Sequence, residues 1–446
     1  MEPSSRPARR RLRLAAVTSA AVLLSLTAGT LPAQAAPAAP PAAVAERHAR
    51  GLDREALRAS LEAVHRAGMY GTYSAVRDGS SHWRDAAGHA DVDTRRPVRP
   101  GFRHRVGSIT KTFTAVAVLR QVHEGRVDLD APIGRYLPGL FPGERGRLIT
   151  VRMLLNHTSG LGDHIAAAFP GIEQDPAGAL DAGRFRHFQP GELVRFGLAA
   201  PSPVPRGTYG YSNTNYVVLG LLLREVTGEE PEEYITREVI RRAGLRHTHF
   251  PRTPYLTGPH SKMYESMFGM IDPPRDYSVY DMSWGGLAAS LVSTVDDLNS
   301  FYRQLLTGRL LGPAELREMK TTVPMYEAPP GQEAVMRYGL GVYALKLSDG
   351  RWYWGHDGSV FGAGTLAFSA EDGRRQVAIG LNLMKYQRLD DDGRPQPHPI
   401  DEAVFRHVEG ALIGTPPPAA SGRTAPRALP AAAGPRPFAA PDLPRR

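Results

Sequence analysis

Cysteine is absent from all 446 residues. That excludes a thiol nucleophile, a zinc–thiolate site and any disulfide. A chain of this length can do without cross-links, because it buries enough surface to stabilise itself. Long apolar runs are also lacking. Outside the first 35 residues no stretch approaches the ~20 residues that a membrane-spanning helix needs. A cysteine for lipid attachment is missing too. The central part of the chain has no basic excess. The formal charge of +9 suggests a nucleic-acid partner until it is located. Residues 1–35 and 414–446 each carry a net +4, which leaves +1 for everything between. A nucleic-acid binder needs positive charge on its folded face, so no nucleic-acid partner is expected. His247-Thr248-His249 has no third ligand and no H-E-x-x-H pattern beside it, so it reads as loop and no metal is expected. No internal repeat is visible.

The two ends read as segments outside the fold. Arg6, Arg9, Arg10, Arg11 and Arg13 precede an apolar run over 14–26, and Ala33-Gln34-Ala35 follows it. Basic head, short apolar core and small-x-small site are the parts of a signal peptide. Cleavage is expected near Ala35-Ala36, giving a secreted protein without a membrane span in its mature form. Residues 36–50, rich in Ala and Pro, read as a linker. Residues 414–446 are Pro, Ala and Arg, with few residues that can build a core, and a disordered tail is expected there.

Between the ends the texture changes twice. A helix is expected over 53–67, with Leu57, Leu61 and Val64 on one face. Strands over 70–77 and 82–87 flank the Asp78-Gly79 turn, a hairpin pattern. From 129 to 280, loops heavy in Gly and Pro alternate with helical stretches at 151–155, 215–227 and 231–243. A helix over 294–307 opens on Thr294 with Asp297 and closes at Gly308. Strands then follow over 338–347, 352–355, 364–369 and 376–383, and a helix over 400–413. The pattern gives an α/β (α+β) fold. An antiparallel sheet of five or six strands holds strands from both ends of the chain, flanked by helices. The sheet domain is assigned to 51–128 and 285–413, and a mainly helical inserted domain to 129–284.

Three places carry chemistry. Ser108-Ile109-Thr110-Lys111 opens a helix marked by Ile109, Phe113, Val116 and Ala117 and stopped at Gly125. Positions i and i+3 share a helix face, so the Lys111 amine lies near the Ser108 hydroxyl. A serine is a weak nucleophile until a neighbouring base takes its proton. Tyr211-Ser212-Asn213 sits just before the helix over 215–227. A Tyr211 phenolate beside a lysine ammonium is able to accept a proton, and Asn213 offers a donor and an acceptor to a substrate amide. His356-Asp357-Gly358-Ser359 lies between two expected strands. Its glycine admits close backbone approach. The N–H groups of Ser108 and Ser359 are the candidate oxyanion hole, and His356 lines the opposite wall. Each place alone has a plain reading as a cap or a turn.

Together, in this order and spacing, they resemble the serine penicillin-recognising family. That family holds D-alanyl-D-alanine carboxypeptidases, class C β-lactamases and related esterases. Ser108-Ile109-Thr110-Lys111 matches its S-x-x-K, Tyr211-Ser212-Asn213 its Y-x-N, and His356-Asp357-Gly358 its K-T-G or H-x-G. The stretch from Leu154-Leu155-Asn156-His157 to Thr158-Ser159-Gly160-Leu161 fits as well, with His157 read as structural. The resemblance runs from about residue 52 to 413 and is nearest to exported actinomycete-type carboxypeptidases.

It implies a β-lactamase/transpeptidase-like fold, no cofactor, and acyl transfer by Ser108 with Lys111, Tyr211 and His356 as catalytic partners. Asn213, Gly358, Ser359 and an aromatic at Trp284 would bind substrate. Asp357 stands where threonine is usual, and an inward carboxylate there repels a substrate carboxylate. Arg337 is the candidate cation for that group. The expected substrate is a peptide or a β-lactam-like small molecule, with peptidoglycan peptides and D-alanyl-D-alanine carboxypeptidase activity first. A β-lactamase or esterase with the same machinery is the alternative, and a binding protein without turnover comes after these.

Overall fold

The computed structural model describes residues 51–414. The expected signal peptide, the expected linker over 36–50 and the expected tail from 415 onward lie outside the described residues. Among the described residues no helix is long and apolar enough to cross a membrane.

Helix α1 (Arg54–Arg66) is capped by Asp53, whose Oδ1 accepts from Ala56 N at 3.0 Å. Leu57, Leu61 and Val64 are its buried face, as the 3.6-residue spacing requires. Strands β1 (Gly71–Asp78) and β2 (Ser81–Asp91) form the first hairpin. A 3-10 turn, Gly107–Ile109, leads into helix α2 (Thr110–His123). Helix α3 is Thr214–Thr227 and helix α4 is Val295–Leu306, the latter with Thr294 accepting from Asp297 N at 3.3 Å. Then come β3 (Met336–Tyr338), β4 (Tyr343–Lys346), β5 (Trp352–Val360), β6 (Ala363–Ala370), β7 (Arg375–Leu381) and helix α5 (Pro399–Ile413).

These strands make one nine-stranded antiparallel sheet. From one edge it runs Arg96–Pro97, β2, β1, β7, β6, β5, β4, β3 and Val323–Pro324. The N-terminal β1 pairs with the C-terminal β7, Ala75 opposite Ala378, so both ends of the chain share the sheet as expected. The strand count exceeds the expected five or six for two reasons. Two-residue pairings extend each edge. The stretch expected as one strand over 338–347 is two strands, because Gly339 to Val342 turns the chain, with Gly341 at φ +75° and Gly339 N donating to Val342 O at 2.7 Å.

Alternation along the strands divides the core. Val377, Ile379 and Leu381 face α1 and α5, in one cluster with Leu61, Val404 and Val408. Ala75, Ala367 and Ala378 face the other side, in a cluster with Phe113 of α2 and Phe301 of α4. Small residues there let the helices approach closely. Asn299 of α4 reaches the sheet and donates to Ala75 O at 2.9 Å.

Helix α2 is the centre of the second cluster. Every residue from Thr110 to Leu119 is buried, so it has no solvent face to mark its period. Its threonines are satisfied by bonding outward, Thr112 to Gly341 O at 2.7 Å and Thr114 to Leu287 O at 2.8 Å. A buried polar group without such a partner would be costly. Phe113 stacks on Phe301, ring centres 3.7 Å apart.

Candidate active site

Ser108 is placed by a turn of the backbone. Gly107 has φ +56°, a region that L side chains rarely occupy. A Cβ added there would lie 2.6 Å from Ser359 N. A Cβ on Gly358 would lie 1.9 Å from Val106 O and 2.9 Å from Ser108 N. Only glycines at these two positions let β5 lie against the turn that carries Ser108. The result packs the backbone of Gly358 and Ser359 directly against that of Val106, Gly107 and Ser108. His356-Asp357-Gly358-Ser359 is therefore part of β5, not a segment between strands. β4 pairs with β5 only as far as Gly355. From His356 to Val360 the strand keeps β6 on one side and an edge free of β4 on the other.

Ser108 is buried and sits between two hydrogen-bond donors. Tyr211 OH donates to its Oγ at 2.7 Å, and Lys111 Nζ lies 3.0 Å from the same oxygen. Lys111 Nζ also donates to Asn213 Oδ1 at 2.7 Å and to Ala288 O at 3.0 Å. Three acceptors match the three N–H bonds of an ammonium. If one proton leaves, the amine keeps two N–H bonds for Asn213 and Ala288, and its lone pair points at Ser108. Burial pushes Lys111 down to about 7, opposed by the negative charges of Asp163 and Asp357. The free amine is thus accessible near neutrality. Burial pushes Tyr211 the other way, well above the ordinary phenol range. Burial thus disfavours the expected Tyr211 phenolate and favours a neutral Tyr211 donor, which leaves Lys111 as the candidate base.

Asn213 is locked by Asp163, a residue that sequence reasoning missed. Asp163 Oδ2 accepts from Asn213 N and from Asn213 Nδ2, both at 2.8 Å. That pair of bonds fixes which way the amide faces, and so presents Oδ1 to Lys111. The signal was a lone carboxylate after Ser159-Gly160-Leu161, and only the fold aims it at Asn213.

His356 is buried, and its Nδ1 meets Asp357 O at 2.5 Å. A carbonyl only accepts, so Nδ1 carries the proton and Nε2 accepts from Tyr338 OH at 2.9 Å. Burial, with Lys111 nearby, pushes His356 down to about 3. It is neutral at working pH and faces Tyr338 rather than Tyr211. His157 Nδ1 accepts from Ser212 N at 3.3 Å and Asn215 Nδ2 at 3.0 Å. Its ring lies 4.2 Å from that of Tyr211, which makes it a wall behind the tyrosine.

Asp357 Oδ1 accepts from Tyr343 OH at 3.1 Å. Burial pushes its carboxyl up to about 6. Tyr338 and Tyr343 were read only as strand residues; both turn out to hold site side chains.

Two of the expected substrate-binding residues, Arg337 and Trp284, have partners of their own. Arg337 follows the strand alternation to the face opposite Tyr338. It donates to Thr322 Oγ1 at 3.0 Å and Thr322 O at 3.3 Å. Trp284 belongs to an aromatic group with Phe169, Tyr280 and Phe361, at the turn between β5 and β6. Among the described residues, Lys111 is the single Lys or Arg bonded to Ser108, Tyr211, Asn213, His356, Asp357 or Ser359. No group of three metal-ligating side chains occurs among the described residues.

Residues 26–396 match the family model described as Beta-lactamase. The chain belongs to the beta-lactamase family. Relatives in this family divide by activity. The putative penicillin-binding protein PbpX of Bacillus subtilis (strain 168) is 27% identical over 325 residues, 72% of this chain and 73% of that protein. Esterase EstB of Burkholderia gladioli is 33% identical over 204 residues, 44% of this chain and 52% of the esterase. Among solved structures, a D-stereospecific amidohydrolase from Streptomyces sp. is 35% identical, with a TM-score of 0.68, 79% of this chain covered and 98% of the other. This beta-lactamase family member is a serine hydrolase with a β-lactamase-like α/β fold.

Proposed function

We propose that the protein hydrolyses a small amide or ester of an amino acid through an acyl-enzyme on Ser108. The observation that carries this reading is the row Lys111 Nζ, Ser108 Oγ, Tyr211 OH, with separations of 3.0 and 2.7 Å. The Lys111 amine takes the serine proton as Oγ attacks the carbonyl carbon. The Ser108 and Ser359 N–H groups stabilise the oxyanion, a contribution worth a factor of roughly 10²–10³ per donor. Tyr211 hands its proton to the leaving nitrogen or oxygen, and the Lys111 ammonium, which holds the proton taken from Ser108, returns it to the Tyr211 oxygen. A water then attacks the ester carbonyl, and the same groups run in reverse. His356 and Tyr338 buttress the far wall, and His157 and Asp163 hold Tyr211 and Asn213.

The substrate is argued from charge. Carboxypeptidase action on a D-alanyl-D-alanine peptide needs a cation for the terminal carboxylate. Arg337 is engaged with Thr322, and Asp357 brings a negative charge to the site instead. This favours a substrate without a terminal carboxylate, in line with the similarity to the amidohydrolase. The test compares ammonia release from alaninamide with D-alanine release from an N-acyl-D-Ala-D-Ala peptide. The amide should be the better substrate by kcat/KM. Faster D-alanine release would restore the carboxypeptidase reading, and steady consumption of a penicillin would give the β-lactamase reading. The pattern of residues 6–35 supports export as part of the same proposal.

A further inference from the structure

Asp357 has a place in the site that the acyl-transfer chemistry does not use. It lies two residues before Ser359 on β5, so the two side chains share a strand face, about 7 Å apart along the chain. The carboxylate is therefore within one substrate residue of the oxyanion N–H. One oxygen is held by Tyr343, and the side chain is 12% exposed, with the other oxygen bonded by no donor among the described residues. Tyr209 packs against Tyr338; its hydroxyl is buried without a partner, and burial first, then the negative charge of Asp357, holds its proton more firmly. Tyr343 bonds the carboxylate directly, and Tyr209 and Tyr211 lie close enough to feel its charge; a carboxylate among aromatic residues is a setting that suits a cation. Lys111 does not fill that role, since its three N–H bonds are spent on Ser108, Asn213 and Ala288.

We infer that Asp357, with Tyr209 beside it, receives the free α-ammonium of the substrate's acyl residue, so that the enzyme acts on amino-acid amides and unblocked N-terminal residues and discriminates against N-acylated ones. This rests on the serine-hydrolase reading above. In the Michaelis complex the ammonium donates to the unbonded Asp357 oxygen and to Tyr209, while the carbonyl oxygen enters the Ser108 and Ser359 N–H pair. No bond to the amine forms or breaks.

The experiment measures kcat/KM for alanine p-nitroanilide and for its N-acetyl derivative, in the D and L series, with p-nitrophenyl acetate as a donor that has no amine. Wild type should prefer the free amine at least about tenfold, the scale of one charge-assisted hydrogen bond. Asp357→Asn and Asp357→Thr should collapse that ratio towards one, and Asp357→Glu should keep part of it. A ratio unchanged in Asp357→Asn, or a wild type that prefers the acetylated anilide, overturns the inference. Should the variants fail to fold, wild type alone decides. Alaninamide should then inhibit p-nitrophenyl acetate turnover at least about tenfold more strongly than N-acetylalaninamide, and equal inhibition overturns the inference. Ser108-dependent turnover of p-nitrophenyl acetate shows that the hydrolase reading stands whichever way the ratio falls. Its absence overturns both.

Discussion

In the proposed mechanism Lys111 sets the pH at which this site works. Its burial lowers the proton affinity of the amine to about 7, and the ammonium has no lone pair for the Ser108 proton. Two carboxylates, Asp163 and Asp357, oppose the burial, while His157 and His356 are held neutral by theirs. The sign follows: kcat/KM should be low below pH 6 and rise through an acid limb near pH 7 as the amine forms. Asp163→Asn removes a negative charge that favours the ammonium, so the limb should move to lower pH; a limb that moves up or stays would exclude Lys111 as the titrating base. Tyr211→Phe should lower kcat by about 10²–10⁴, the range for a lost proton-transfer group, while the acid limb stays in place because Tyr211 does not titrate there. Ser108 and Lys111 were legible from their i, i+3 spacing, and Tyr211 and Asn213 from the family resemblance; the fold brings the four together. Asp163 was not, since its role depends on a loop folding back onto Asn213. The Thr322 partner of Arg337 was not legible, because a residue's place beside a strand does not tell which face it takes until the turn at Gly339 to Val342 fixes the register.

At the scale of elements, the site is a strand laid on a turn. β5 and the Gly107–Ile109 turn touch backbone to backbone at Gly107 and Gly358. Gly358→Ala should cost at least about 100-fold in kcat/KM, since the added methyl drives Ser359 N–H out of the oxyanion pair. Gly125→Ala is the control: it has φ +70° but nothing within 4 Å, so it should cost only about 1 kcal/mol of stability, from backbone strain, and leave turnover intact. Steady-state kinetics with thermal melting separates the two effects. A fully active Gly358→Ala enzyme would contradict the oxyanion assignment. The five long strands, β1, β2, β5, β6 and β7, and the helix α1 could be read from period and from Gly and Asp turns. The ends of β5 could not. A Gly at the middle of a strand resembles a turn until one sees the backbone that packs on it. The two-residue edge strands have too few side chains to show any period.

At the scale of the whole molecule, the sheet joins the ends of the fold through β1 and β7, and its two faces hold separate clusters around α1 with α5 and around α2 with α4. The strand patterns near both ends made this pairing readable before any coordinates. The helical middle was readable as helices but not as an arrangement. Helices surround α2 on all sides, and its continuous burial leaves no amphipathic stripe to say what packs where. The ends beyond 51–414 carry the prediction of export. N-terminal sequencing of protein recovered outside expressing cells should begin at Ala36; intact Met1 on protein retained inside would contradict it.

The central claim is an acyl-enzyme on Ser108, and intact-mass analysis of the protein quenched in acid during turnover of a p-nitrophenyl ester tests it most directly. The account predicts that wild type gains the mass of one acyl group, that peptide mapping places it on Ser108, and that Ser108→Ala gains none. An acyl group found on another residue, or labelling that persists in Ser108→Ala, would contradict it.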